Sequence, residues 1–383
     1  MGNCGKIKKI LFHSDLREWG GSEELWFRTA KIALKEGFSV GIYTRKGMLP
    51  QSKIAELQQY PNVTFFYGRP AHLIAQIINR VLRILSPKYR FYYIYDDFNE
   101  EAIKWQPDLV LFSHGNNLAA EPIIPLFRKN NIRYCTVGQA AIDQYSPSDN
   151  IIPSIKENFK FSQENYFVSQ ANLELTELQI GCKINNSKVV RNPFNIPYHN
   201  NLSYPDNTIF KLACVGRYDF GPKGQDILLK VLSQPKWKER NIEINLYGKG
   251  PNEMGIKGLI NYFGLKNVFI RGFSTTIDIW KENHALVLPS RYEGLPLVIV
   301  EAMLCGRFAI TTNVSGNGEI IINNENGFIA EAPQVEYLDN AMERAWSRKE
   351  EWQNIGDKAK KHIITLVPEC PEKVFFDELL SKL

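Results

Sequence analysis

At 383 residues the chain is too long for one ordinary hydrophobic core, so two domains are expected. Its 44% hydrophobic and 23% charged residues describe a soluble globular protein, and no apolar run nears the ~20 residues of a membrane span. The net charge of +5 suits an anionic small ligand or an acidic membrane surface, while the lack of a basic run interleaved with aromatics argues against nucleic acid.

The opening "MGNCGKIKKILFHSD" has no long apolar segment and no small-residue cleavage site, which argues against secretion. It half-matches a myristoylation signal, but Lys6 stands where Ser or Thr is wanted. The cysteines at 4, 135, 182, 214, 305 and 370 form no C-x-x-C pair and read as reduced, largely core residues. A strand is predicted at 6–14, then a helix over 21–37, where Leu25, Trp26, Thr29, Ala30, Ala33 and Leu34 recur at helical spacing and Gly37 closes the run. Strands follow at 38–44, 63–68, 108–114, 132–138, 165–170 and 187–193, spaced widely enough for intervening helices. The polar stretch "NIPYHNNLSYPDNT", 195–208, reads as a linker. Alternation then restarts, with strands at 210–216, 242–248, 268–273, 284–290, 308–314 and 327–332, and a helical tail from 335. Repeated β-α alternation implies α/β architecture: two Rossmann-like, doubly wound parallel sheets. Ligands of such sheets bind beyond the carboxyl ends of the strands, and two facing sheets would frame a cleft.

Chemistry concentrates in "RYEGLPLVIVEAMLCGR", 291–307. Glu293 lies just past a buried strand, and Pro296 suits the first turn of a helix ending at Gly306. Free N–H groups there favour phosphate, and Gly294 permits close approach. Glu301, inside the helix, could accept from a vicinal diol such as ribose, and Glu293 from sugar hydroxyls; a nucleoside diphosphate sugar has that layout. Taken alone, the spacing also fits one glutamate facing the helix dipole and another on a solvated face. In "CVGRYDFGPKGQDILLKVL", 214–232, Arg217 and Lys223 occupy the loop after another strand, with Gly221 and Gly224 to turn it. Two cations there match a pyrophosphate and would stabilise the charge of a departing nucleotide. The bland alternative is a pair of solvated loop cations.

"GRYDFGPKGQDILL", "YGKGPN", "RGF", "LPSRYEGLPLVIVEAMLCGRFAITTNVSGNGEII" and "NGFIA" together resemble the donor-binding domain of retaining glycosyltransferase family 4 with its E-x7-E motif, strongly over 205–332. "EWGGSEELWFRTAKIALKEGFSV" and "KVVRNPFN" extend the likeness more loosely into the first half. The resemblance implies the GT-B fold: an acceptor domain over 1–200, a nucleotide-sugar donor domain over 205–365, and a helix over 366–383 crossing back to the first domain. By the same resemblance, Arg217 and Lys223 would hold the donor diphosphate and Glu301 the nucleotide ribose. Glu293 would sit near the donor sugar, with the Gly294–Leu295 turn facing sugar and phosphate. Arg271 would flank the base, and Gly20 and Gly21 would face the donor phosphate. It implies retention of anomeric configuration, no metal and no cofactor beyond a UDP- or GDP-linked donor substrate.

Many members of that family carry a histidine after the fifth strand of the first domain. This chain has "CTVGQAAID" there, with Gly138 and Gln139. His114 at the end of the preceding strand is the candidate catalytic group beside Glu293; Gln139 and Asp143 stay open, and His13 and Asp15 rank below them. In 70–97, an apolar stripe from Leu73 to Leu85 flanked by Arg80, Arg83, Lys88 and Arg90 fits either a core helix or one lying on a membrane near a lipid-linked acceptor. The expectation is a cytoplasmic retaining hexosyltransferase of polysaccharide or glycolipid assembly, with peripheral membrane contact one option. Its rivals are a GT-B epimerase or sugar synthase and a non-catalytic GT-B module. A nicotinamide-linked dehydrogenase is disfavoured, because "GKGPNE", 248–253, lacks the third glycine of the dinucleotide fingerprint.

Overall fold

The structure is a computed structural model and describes residues 8–14, 19–45, 47, 49–68, 96–118, 123–206 and 208–383. The chain divides into two compact units, one formed by residues up to Pro193 together with Cys370–Leu383, the other by Phe194–Glu369. Each carries a sheet of parallel strands.

The first unit's strands are β1 (Lys9–Ser14), β2 (Ser39–Arg45), β3 (Val63–Gly68), β4 (Leu109–His114), β5 (Tyr134–Gly138), β6 (Asn165–Phe167) and β7 (Ser187–Val189). Their order is β3-β2-β1-β4-β5-β6-β7. β1, β4 and β5 read as near-continuous apolar runs because both sheet faces are covered. Alternation shows in where they point: Ile10, Phe12, Leu109 and Leu111 enter one core, Leu11, Val110 and Phe112 the other.

The helix expected over 21–37 is a 3-10 turn, Gly21–Glu23, followed by an α-helix, Glu24–Lys35. Its buried face is the expected one, including Leu25, Trp26, Ala30, Ala33 and Leu34. The helix Pro371–Leu380 packs on it, and Phe375, Phe376 and Leu379 enter the same core. Phe376 meets Phe38 edge-on and Phe375 meets Tyr166 edge-on, with ring centroids 5.7 and 4.9 Å apart.

The second unit's strands are β8 (Phe210–Val215), β9 (Ile242–Tyr247), β10 (Val268–Gly272), β11 (Ala285–Leu288), β12 (Phe308–Thr312) and β13 (Gly327–Ala330), in the order β10-β9-β8-β11-β12-β13. Both sheets thus have the doubly wound arrangement, with strand order reversing at β1/β4 and at β8/β11.

The segment expected as a linker is part of the second unit. From Phe194 the chain belongs to the second unit, because its polar groups are anchors there. Tyr198 Oη donates to the Val367 carbonyl at 3.1 Å, and Asn200 Nδ2 to the Leu304 carbonyl at 3.2 Å. The guanidinium of Arg307, 1% exposed, donates to the carbonyls of Asn283, Cys305 and Ser203. Buried charge is tolerated when hydrogen-bonded this fully, although burial still lowers the pKa of Arg307.

His284 completes this anchor. The Lys211 N–H donates to its Nδ1 at 3.0 Å, so Nε2 carries the proton toward the Asp206 carbonyl at 2.8 Å. Burial pushes its pKa below the ordinary 6.5. The unfolded chain therefore takes up this proton first as pH falls, and the stability present above pH 6.5 is lost from there down to the depressed folded value. Urea unfolding of the second unit should show that loss below pH 6.5, and His284→Gln should flatten it; an unchanged profile in the variant would refute the assignment.

Candidate functional site

The second unit's site is assembled where β8 and β11 lie side by side. After β8 the chain passes Gly216 and Arg217, forms a short helix, Phe220–Lys223, and turns at Gly224 into the helix Gln225–Leu232. Gly224 has φ +62°, and a Cβ there would lie 2.1 Å from the Pro289 carbonyl oxygen. Only glycine permits both the left-handed backbone and this approach. The post-β8 and post-β11 loops therefore touch through their backbones.

That contact places Lys223 Nζ 2.6 Å from Glu293 Oε1, to which it donates. Ser290 Oγ donates to the same oxygen at 2.7 Å. The Glu293 N–H donates to Ser315 Oγ at 3.1 Å, and the Gly316 N–H to the Gly294 carbonyl at 3.0 Å. Arg291 forms a two-pronged pair with Asp226, at 2.8 and 2.7 Å, and its side chain also donates to the Phe220 carbonyl. Asp226 raises the pKa of this guanidinium; such a bidentate pair fixes geometry as well as charge. The Arg291 N–H adds a bond to the Pro222 carbonyl at 2.8 Å. Arg217 pairs with Asp219 at 2.8 Å, its side chain 53% exposed, while Gln225 Nε2 holds the Arg217 carbonyl at 2.8 Å. The loop is thus clamped at its backbone and leaves the cationic head of Arg217 toward solvent.

Glu301 lies in the helix Leu297–Leu304 and is buried. Pro296 is the residue before that helix, not its first turn. Glu301 Oε1 accepts from the Asn195 N–H at 2.9 Å and from Asn195 Nδ2 at 3.2 Å. Leu295 is buried beside Gly294 in the preceding turn. Arg271 stands apart on β10, two strands from β8. It donates to Asn245 Oδ1 at 2.7 Å and covers the Phe269 ring at 5.0 Å.

In the first unit, His114 ends β4 and is buried, stacked on Phe112. His13 on β1 lies against the rings of Tyr43 and Phe112, with centroids 4.1 and 5.0 Å away. Gln139 donates its N–H to the His114 and Asn116 carbonyls at 3.1 and 3.2 Å. Asp143 is exposed. Gly20 precedes and Gly21 begins the turn carrying Glu23, which is fully buried and accepts from Ser14 Oγ at 2.9 Å and Trp26 Nε1 at 2.7 Å. Asp15 and the stripe from Leu73 to Leu85 lie outside the described residues. Among the described residues no cluster of His, Cys, Asp or Glu is placed to hold a metal, and no helix is long and apolar enough to cross a membrane.

Sequence reasoning did not single out Ser290, Ser315, Asp226, Arg291 or Glu23. Ser315 carried a signal, its place in the glycine-rich "SGNGE". Its φ of +47° is a conformation rare outside glycine. The Asp226–Arg291 pair spans 65 residues, and no local pattern announces such a contact.

Residues 204–362 match the family described as glycosyl transferases group 1. An uncharacterized glycosyltransferase of Haemophilus influenzae is 28% identical over 361 residues, 92% of this chain and 95% of its own. The Escherichia coli UDP-Gal:alpha-D-GlcNAc-diphosphoundecaprenol alpha-1,3-galactosyltransferase is 34% identical over 85 residues, 22% of each chain. The crystal structure of Anabaena HepE in complex with UDP superposes with a TM-score of 0.74 at 19% identity, covering 98% of this chain and all of that one. The fold, two Rossmann-like parallel-sheet domains, is that of GT-B glycosyltransferases.

Gly224→Ala should lower the second unit's stability in urea by about 2–4 kcal/mol, from left-handed strain plus the clash with Pro289. Gly258→Ala, in a helix with nothing near its added Cβ, should raise it by up to about 1 kcal/mol. Equal effects would refute the close-contact argument.

Proposed function

We propose that the protein is a retaining glycosyltransferase that moves a hexose from a UDP- or GDP-linked donor to an acceptor hydroxyl, without a metal, in cell-surface polysaccharide or glycolipid assembly in the cytoplasm. The observation that carries this reading is the meeting of Lys223 and Glu293 at 2.6 Å where β8 and β11 adjoin. One group suits a phosphate oxygen and the other a sugar hydroxyl, and they stand within one ligand's reach.

In this reading Arg217 and Lys223 neutralise the diphosphate, and the N-terminus of the Gln225–Leu232 helix adds its free N–H groups. As the glycosidic bond lengthens, negative charge grows on the diphosphate and positive charge on the sugar ring. Fixed cations stabilise the first without reorganising, which is the main source of rate. Glu293 accepts from donor-sugar hydroxyls, and its ion pair with Lys223 exchanges for contacts to the substrate. Glu301, anchored through one oxygen to Asn195, turns toward the ribose diol. The leaving phosphate takes the acceptor's proton on the face it departs from, which preserves configuration and requires no protein nucleophile. Gly294 and Leu295 shape the turn beside the sugar, and Arg271 borders the base. His114, buried at the end of β4, is the first unit's candidate catalytic group. UDP in the HepE complex and the lipid-linked acceptor named for the Escherichia coli relative support the donor and acceptor classes.

Thermal unfolding against UDP, GDP and ADP tests the donor assignment. At about 100 times Kd a nucleotide adds ~2.7 kcal/mol, a shift of several degrees. One series should shift the wild type and fail to shift Lys223→Ala, and product analysis should find the donor's anomeric configuration kept. An equal shift in Lys223→Ala, or inversion in the product, would overturn the corresponding part.

A further inference from the structure

Glu293 is held from two sides by serines that the proposed chemistry does not use. Ser290 Oγ donates to Glu293 Oε1 at 2.7 Å, and the Glu293 N–H donates to Ser315 Oγ at 3.1 Å. One bond fixes the carboxylate, the other the backbone that carries it. Lys223 Nζ takes the same Oε1 at 2.6 Å. Both side-chain bonds therefore fall on one oxygen, and among the described residues none bonds to Oε2, whose lone pairs stay open. The pair is within reach of a ligand, since the Lys223 and Glu293 side chains are 22% and 9% exposed.

The end of β12 sets both serines. Thr312 Oγ1 donates to the Ser290 carbonyl at 2.5 Å. Asn317 Nδ2 holds Thr311 Oγ1 at 2.9 Å and the Thr312 carbonyl at 3.1 Å. The Gly316 N–H, bonded to the Gly294 carbonyl at 3.0 Å, ties the residue after Ser315 to the residue after Glu293. Ser290, Thr311, Thr312 and Asn317 are fully buried, so these bonds form without competition from water. Ser315 is also strained. Its φ of +47° lies in the left-handed region, which penalises any residue with a Cβ and leaves glycine unaffected. Strain of this kind persists where the surroundings over-determine it, and it clusters at binding sites. Glycine would relieve the strain but would supply no acceptor, and the acceptor on Ser315 is the one the Glu293 N–H uses.

We propose that Ser290 and Ser315 are positioning residues: they aim Glu293 Oε2 at the donor sugar and so set the affinity for a nucleotide sugar without changing the affinity for the nucleotide alone. The proposal rests on the glycosyltransferase reading and deepens it. In that reading the nucleotide is held by other groups, the diphosphate by Arg217 and Lys223 and the ribose by Glu301. The two serine hydroxyls bond to Glu293, so their effect reaches the ligand through it.

The test titrates the full chain by calorimetry with UDP, UDP-glucose, UDP-galactose, GDP and GDP-mannose, and records melting temperatures. The nucleotide sugar that binds wild type should bind Ser290→Ala and Ser315→Gly about tenfold more weakly, while the matching free nucleotide binds all three alike. In a Glu293→Gln background the same two substitutions should change nucleotide-sugar affinity less than about twofold, because each acts through Glu293. Ser315→Gly sheds the strain along with the hydroxyl and should melt above Ser315→Ala, which keeps the strain. It carries the test alone if Ser290→Ala fails to fold. Unchanged nucleotide-sugar affinity in Ser315→Gly overturns the proposal. So does an equal loss for nucleotide and nucleotide sugar, full additivity with Glu293→Gln, or a wild type that binds a nucleotide but none of the three nucleotide sugars. In each of those cases nucleotide binding by the wild type leaves the donor-nucleotide assignment standing. A wild type that binds no nucleotide and no nucleotide sugar fails that assignment and the proposal with it.

Discussion

The candidate donor site depends on one close approach, the backbone of Gly224 resting against the carbonyl of Pro289. No side chain fits between the two loops there. Because they meet there, a lysine on one and a glutamate on the other share a hydrogen bond, and Arg291 can span back to Asp226 and the short helix before it. These contacts add to the loop's own backbone bonds, Lys223 N–H to Asp219 and Gly224 N–H to Phe220. A flexible loop would lose conformational entropy each time a ligand ordered it; one clamped by a bidentate pair and three backbone carbonyls has already lost it on folding.

The two units treat the same sheet geometry differently. At the edge of the second, glycines bare the backbone and cations stand among carboxylates. In the first, aromatic rings hold two histidines on adjacent strands, and a carboxamide pair, Gln139 and Asn192, bonds beyond β5 and β7. Fold alone does not dictate function; here one architecture carries two edges of different side-chain chemistry.

Strand positions were legible because both faces of each sheet are covered, so runs such as "ILFH" and "ALVL" stay apolar throughout. Arg217, Lys223, Glu293 and Glu301 were legible as candidates because glycine and proline mark the turns that carry them. The connector was misread for a physical reason. Linkers and buried polar anchors share a composition, and "NIPYHNNLSYPD" differs from a free linker in its partners, among them Glu301, Leu304, Arg307 and Val367, all distant in sequence. Glu23 escaped notice similarly, since a carboxylate at a helix start reads as a dipole partner until Ser14 and Trp26 are found bonded to it. What sequence hides here is long-range pairing between polar groups, which follows no period.

The helix Pro371–Leu380 closes a core that otherwise belongs to the first half of the chain. During synthesis the helix Glu24–Lys35 emerges some 335 residues before its partner. At the ~5–20 residues per second of translation, its apolar face waits on the order of tens of seconds for cover. The second unit, contiguous from Phe194 to Glu369, has all of its residues before the first unit does. Order of birth and order of completion are therefore reversed, and the nascent chain presents during that interval the side of one amphipathic helix that carries Thr29, which later donates to the Glu372 carbonyl, a defined target for chaperones.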